Sequence, residues 1–216
     1  MLTSSPTKHG SGITLYGDPH DLKALRQTIH KIADEKHVVE RFGNFMLSLA
    51  YDVRKAYEGA RDRKRVGVPG MDSVKYFSVN VIWPYFLPQI ALIRHFAAFH
   101  PTTHRDQGCL YLLEDCAITS LLACDANIGK LCSEWFLNFP MLPHDYLIQF
   151  FDVCARDFVS FPEKKRFAKL PDILRKLAWH SPEYREFSKE MAEAAKRNDC
   201  GPEELSDPRE WPKFRR

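Results

Sequence analysis

Between positions 94 and 116 the chain gathers Arg94, His95, His100, His104, Asp106, Cys109 and Cys116. Two chemistries are open to these residue types. Arginine is a permanent cation whose planar fork fits a phosphate, and histidine moves a proton near neutral pH. Arg94 and His95, with His100 beyond them, could therefore hold a phosphodiester and cleave it by proton transfer. Alternatively, His100, His104 and Cys109 could ligate zinc, with Asp106 or Cys116 as a fourth ligand. Structural zinc sites pair one short chelating spacing with a second, and this stretch carries one. No metal or cofactor is assigned to it.

A different surface is expected earlier in the chain. Tyr51, Arg54, Lys55 and Glu58 fall at three- and four-residue spacing, so one helix face presents them together. Tyr57 and Arg61 lie beside them in the sequence. Tyr and Arg dominate interface hot spots, so this face is the candidate binding surface for a protein partner. Arg61-Asp62-Arg63-Lys64-Arg65 follows with four basic residues in five. Where a helix ends, such a run complements the negative end of the dipole. Nucleic acid is a weaker reading of the same run, because no aromatic residues interleave with it.

Other titratable groups have structural accounts. Asp18-Pro19-His20-Asp21 reads as a helix start, with Asp18 capping and Pro19 in the first turn. His30 and His37 would lie two helical turns apart, too far to share a metal. The chain contains no glycine-rich phosphate loop, no G-x-S-x-G, no H-E-x-x-H and no C-x-x-C.

The elements that must position these residues are mostly helices. Apolar periodicity predicts helices over 19–36, 40–63, 84–99, 107–124, 127–139, 144–160, 167–179 and 182–197. Ile13–Tyr16 and Lys75–Trp83 are rich in β-branched and aromatic residues and are expected to pair as strands. Residues 1–12 read as a loose tail, and 200–216 as a proline-rich tail that packs one Trp on the body. The expectation is a mainly α protein. It is a single helical domain, 1–216, of about seven to eight helices with a small N-terminal two-stranded β element.

Composition narrows the class. Of 216 residues, 44% are hydrophobic and 27% charged, which fits a folded globular chain. The most apolar segment, Trp83–Phe99, is broken by Pro84, Pro88, Gln89, Arg94 and His95, so no membrane span is expected. A net charge of +3 is too mild to imply nucleic acid. The six cysteines sit largely within apolar helical patterns, and reduced thiols in a cytoplasmic protein are expected.

Two resemblances follow from particular residues. Arg94-His95-x4-His100 resembles the R-x(4–6)-H motif of the HEPN superfamily, which is also helical. That resemblance implies a ribonuclease in which Arg94 binds phosphate and His100 transfers the proton. Arg175 and His180 match the same loose spacing. The segments GITLYGDPHDL, YDVRKAYEG, WPYFLPQIALIRH and SPEYREF resemble a small bacterial family of uncharacterised proteins, which implies a prokaryotic cytosolic protein. The leading functional expectation is a non-enzymatic binding or accessory protein acting on another protein. A HEPN-like ribonuclease and a zinc-binding protein are the alternatives.

Overall fold

A computed structural model describes residues 1–33, 42–68, 71–139, 145–178, 180–201, 204–205 and 210–214, with only the backbone described at 64–68 and 71–73. The order of elements begins β1 (Thr3–Pro6), β2 (Gly12–Gly17), α1 (Pro19–Ala33) and α2 (Asn44–Lys55). A wider π turn (Ala56–Ala60) leads to the hairpin β3 (Arg63–Val68) and β4 (Met71–Ile82). The remaining helices are α3 (Trp83–Ala97), α4 (His104–Cys124), α5 (Ala126–Leu137), α6 (Leu147–Ser160), the single turn α7 (Glu163–Arg166), α8 (Leu170–Lys176) and α9 (Pro182–Asn198). The protein is mainly α, as expected. The ends of the 19–36, 40–63, 144–160 and 167–179 expectations that fall on 34–41, 144 and 179 lie outside the described residues, and so does His37.

The β element is larger than expected. Ile13–Tyr16 does pair with the 75–83 segment, antiparallel, with Ile13 opposite Val81 and Leu15 opposite Val79. Two more strands join them, in the order β1-β2-β4-β3. The reading of residues 1–12 as a loose tail is therefore corrected. Thr3–Pro6 pairs with Ile13–Tyr16, Leu2 is buried, and Ser4 Oγ donates to the Cys116 carbonyl oxygen at 2.9 Å. Ser and Thr composition resembles a loop, yet here those hydroxyls anchor an edge strand to α4. The other correction concerns the basic run Arg61–Arg65, expected where the 40–63 helix ends. The helix stops earlier because Gly59 adopts a positive φ of 87°, and the basic run becomes an edge strand. Charged side chains on an edge strand discourage pairing with other chains.

The sheet runs into α3 without a loop. Ile82 is extended, Trp83 opens the helix, and Pro84 occupies its first turn. The Trp83 backbone N–H, which has no helical acceptor, donates to the Ser11 carbonyl oxygen at 3.1 Å. Helix α3 is apolar on nearly every face, so it is buried between α1, α2, α4, α5, α6 and α8. Trp83, Phe86, Leu87 and Ile93 are fully enclosed. Gln89 is a buried polar residue on it, and its Nε2 donates to the Phe45 carbonyl oxygen at 3.0 Å and to Ser48 Oγ at 2.9 Å.

Capping residues set the outer helices. Asp125 ends α4 and begins α5, where its carboxylate accepts from the N–H groups of Asn127 and Ile128. The two helices are thereby turned into a hairpin. Ser181 Oγ accepts from the Tyr184 N–H at 3.0 Å at the start of α9, as Ser181-Pro182 predicts. In the C-terminal segment Trp211 packs against Tyr85, with ring centroids 6.0 Å apart.

All six cysteines are free thiols. Burial pushes Cys116 and Cys124 up to about 11, and Cys132 and Cys154 up to about 12. A thiol alkylating agent at pH 8 should therefore modify the half-exposed Cys109 and Cys200 first, and all six after denaturation. Mass spectrometry of the time course checks this order.

Gly12 sits where β2 crosses the end of β4. A Cβ there would overlap the Val81 carbonyl oxygen and main-chain atoms of Ile82. Backbone cannot yield as a side chain would. Gly12→Ala should cost about 3 kcal/mol or more, measured by urea denaturation.

Candidate functional site

The structure sorts the residues singled out above into three settings. The first surrounds Arg94 at the end of α3. Its Nε and Nη2 donate to Glu114 Oε1 and Oε2 at 2.6 and 2.8 Å, and its Nη1 donates to Gln107 Oε1 at 2.7 Å. Its guanidinium also lies 4.7 Å from the centre of the Tyr111 ring. Glu114 is 8% exposed and Arg94 half-buried, and this bidentate pair joins α3 to α4. Every nitrogen of Arg94 is engaged, and its charge is neutralised. His95 packs against Phe96 and Phe99, and burial lowers its pKa, which keeps it neutral at pH 7. His100 follows α3, half-buried, in the turn before α4. In this arrangement the guanidinium fork that would grip a phosphate is occupied by the Glu114 carboxylate.

The second setting is the start of α4. Thr103 and Asp106 form a reciprocal capping box. Asp106 also accepts from Lys31 Nζ at 2.8 Å and from Thr28 Oγ1 at 3.2 Å, which ties α4 to α1. Burial opposes ionisation of Asp106. The bonds from Lys31, from the Thr103 N–H and hydroxyl, and from Thr28 outweigh it and hold the carboxyl well below the usual range. The acid considered as a zinc ligand is thus fully employed in structure. Among the described residues no group of three or more His, Cys, Asp and Glu is placed to hold a metal ion.

The third setting is the exposed end of α2. Tyr51 is 51% exposed. The Arg54 guanidinium lies 5.1 Å and Lys55 Nζ 5.5 Å from its ring centre. Arg54 pairs with Glu58 one turn on, at 3.8 Å. The π turn and the positive φ at Gly59 swing the chain back so that Arg61 reaches Asp52. Tyr51, Arg54, Lys55 and Glu58 therefore share one surface, in keeping with their spacing, and the turn at Gly59 adds Arg61 to it. Tyr57 does not join it. Six residues after Tyr51 it points to another side of the helix, packs on the core, and receives Lys23 of α1 at 5.9 Å from its ring. The α2 surface is an aromatic plate held among cations whose geometry is limited by short local ion pairs.

The chain belongs to the family described as a domain of unknown function, DUF6904, whose model matches residues 2–215. Neither the curated proteins nor the solved structures include a match. The family model spans the sheet, the central helix and the C-terminal segment, so all three settings lie within it. Among the described residues no helix is long and apolar enough to cross a membrane.

Residue spacing pointed to Arg94 but not to its partner, because Glu114 sits on a separate helix. It also passed over Arg156 and Arg166, two arginines that folding buries. Their signal in the sequence is faint: basic residues embedded in the aromatic-rich segment 150–167.

Asp106 supplies a test of this assignment of roles. Its carboxyl releases a proton more readily in the folded chain than in the unfolded one. Its contribution is therefore complete above the unfolded value of about 4 and fades as the pH falls below it. Asp106→Asn should cost about 2 kcal/mol at pH 7. The gap from wild type should narrow below about pH 4, as followed by urea denaturation across pH.

Proposed function

We propose that this protein is a non-enzymatic binding or accessory protein of the bacterial cytoplasm that engages an acidic surface on another protein through the exposed end of α2. The observation that carries this reading is Tyr51, half exposed with Arg54 and Lys55 against its ring. A tyrosine has few rotatable bonds, so its large contact area is ordered at small entropic cost. Arg54 and Lys55 carry charge beside it, and Arg61 and Arg63 extend that charge along the exposed chain. Asp52 and Glu58 offset part of it through ion pairs with Arg61 and Arg54. The remaining excess is basic, which selects carboxylates on a partner and steers their approach.

A protein partner fits this face better than nucleic acid does. A stacking base needs an open aromatic face, and here cations lie against the Tyr51 ring. Asp52, Glu58 and the exposed Asp62 would also oppose a polyphosphate chain. The accessory reading gains from the other settings as well. Arg94 and Asp106, the residues best suited to nuclease or metal chemistry, are spent on joining helices.

Replacing Tyr51 with a photo-crosslinking phenylalanine analogue in the producing cell identifies what touches it. The captured protein is then purified and its affinity measured directly. Tyr51→Ala and Arg54→Glu should each weaken binding by roughly tenfold or more, with circular dichroism unchanged. Crosslinks to RNA alone, no crosslinked protein, or an affinity indifferent to both substitutions would overturn the reading.

A further inference from the structure

A cavity of about 450 Å³ opens between the end of α6, the turn into α7 and the C-terminal residues Pro212–Phe214. Arg166 of α7 lines it and is only 3% exposed. Its Nη2 donates to the carbonyl oxygens of Val159 and Phe161 at 3.0 and 3.1 Å. Its Nε and Nη1 are buried and meet no acceptor. Elsewhere in this protein a half-buried arginine is treated differently, since Arg94 has a carboxylate across its fork.

Arginine cannot escape burial by losing its proton. A buried cation with unfilled donors is costly, so a counter-ion is called for. Glu163, the one carboxylate in the lining, does not fill that role by contact. It meets His9 Nδ1 at 3.0 Å instead. Burial lowers the Arg166 pKa, and Glu163 opposes that only as a more distant charge. The lining mixes polar and apolar groups, with Phe161, Pro162, Pro212 and Phe214 as apolar walls and the exposed Lys213 as a second cation. The Phe214 ring centre lies 6.0 Å from the Arg166 guanidinium.

We propose that this cavity is a binding site for a small organic anion, an oxyanion head on a flat apolar body, with Arg166 as its counter-cation. The volume suits a small-molecule ligand, and two cations beside aromatic and proline walls suit an anion with an apolar body. The body lies between the proline and phenylalanine walls. The head reaches Nε and Nη1 as the Phe214 ring gives way, while Lys213 draws it in. Carboxylates and phosphate monoesters share this chemistry. The site is separate from the α2 surface and does not depend on a protein partner.

Isothermal calorimetry of the full chain tests the proposal with benzoate, phenyl phosphate, inorganic phosphate and the neutral benzamide as probes. At least one aromatic anion should bind saturably, roughly tenfold or more tighter than benzamide and than inorganic phosphate. The stronger of the two aromatic anions tells a carboxylate site from a phosphate site. Lys213→Glu lies on an exposed residue and should weaken the anion several-fold without affecting the fold. Arg166→Met should abolish binding, and Arg166→Lys should restore part of it. Should Arg166→Met fail to fold, Lys213→Glu and the benzamide comparison decide. Failure of both aromatic anions to saturate below about 10 mM overturns the proposal. Equal affinity for benzamide, or an affinity unchanged in Lys213→Glu and the folded Arg166 variants, does so too.

Discussion

Helix α3 must be dry on nearly all sides, and the rest of the architecture follows from that. Its apolar side chains leave no face for water, so six other helices and the sheet are needed to cover it. Because Pro84 and the extended Ile82 allow the chain to pass from strand to helix without a loop, the sheet and the helical core are mechanically one unit. The segment between the first two strands is tied to Trp83, whose N–H is held by Ser11. The N-terminal residues are therefore part of the core's support.

A buried helix that still carries Gln89 and Arg94 must satisfy them internally. Gln89 is met by the backbone and a hydroxyl of α2, and Arg94 by Glu114 and Gln107 of α4. Asp106 does the corresponding work between α4 and α1. These polar contacts join different pairs of helices, so each adds geometry where apolar packing alone would permit sliding. They also occupy two charged groups, Arg94 and Asp106, of the stretch richest in reactive residue types. Each of those charges is paired within the fold.

Two places escape that cancellation. At the end of α2 cations outnumber the carboxylates that pair with them, around an exposed tyrosine. At the end of α6 a guanidinium is buried with donors to spare. One is an open surface and the other a cavity, so the partners we propose for them differ in size, a protein for the first and a small anion for the second.

Much of this was legible in the residues themselves. Apolar periodicity located the helices, and Asp18, Ser181 and Pro182 marked starts that the structure places within a residue or two. The three- and four-residue spacing of Tyr51, Arg54, Lys55 and Glu58 determined that they share a face, because helical geometry is local. The pairing of Ile13–Tyr16 with the segment near Val81 was also legible from β-branched content. The edge strands were not. A serine- and threonine-rich segment and an arginine run become strands only through neighbours distant in the chain, and composition does not record neighbours. The same holds for the sites. Arg94 reads as a catalytic candidate until Glu114 is brought against it, and Arg166 reads as an ordinary surface charge until the C-terminal segment closes over it. Local spacing decides which side chains travel together, but whether a charge is neutralised, buried or left free depends on contacts that only the tertiary fold makes.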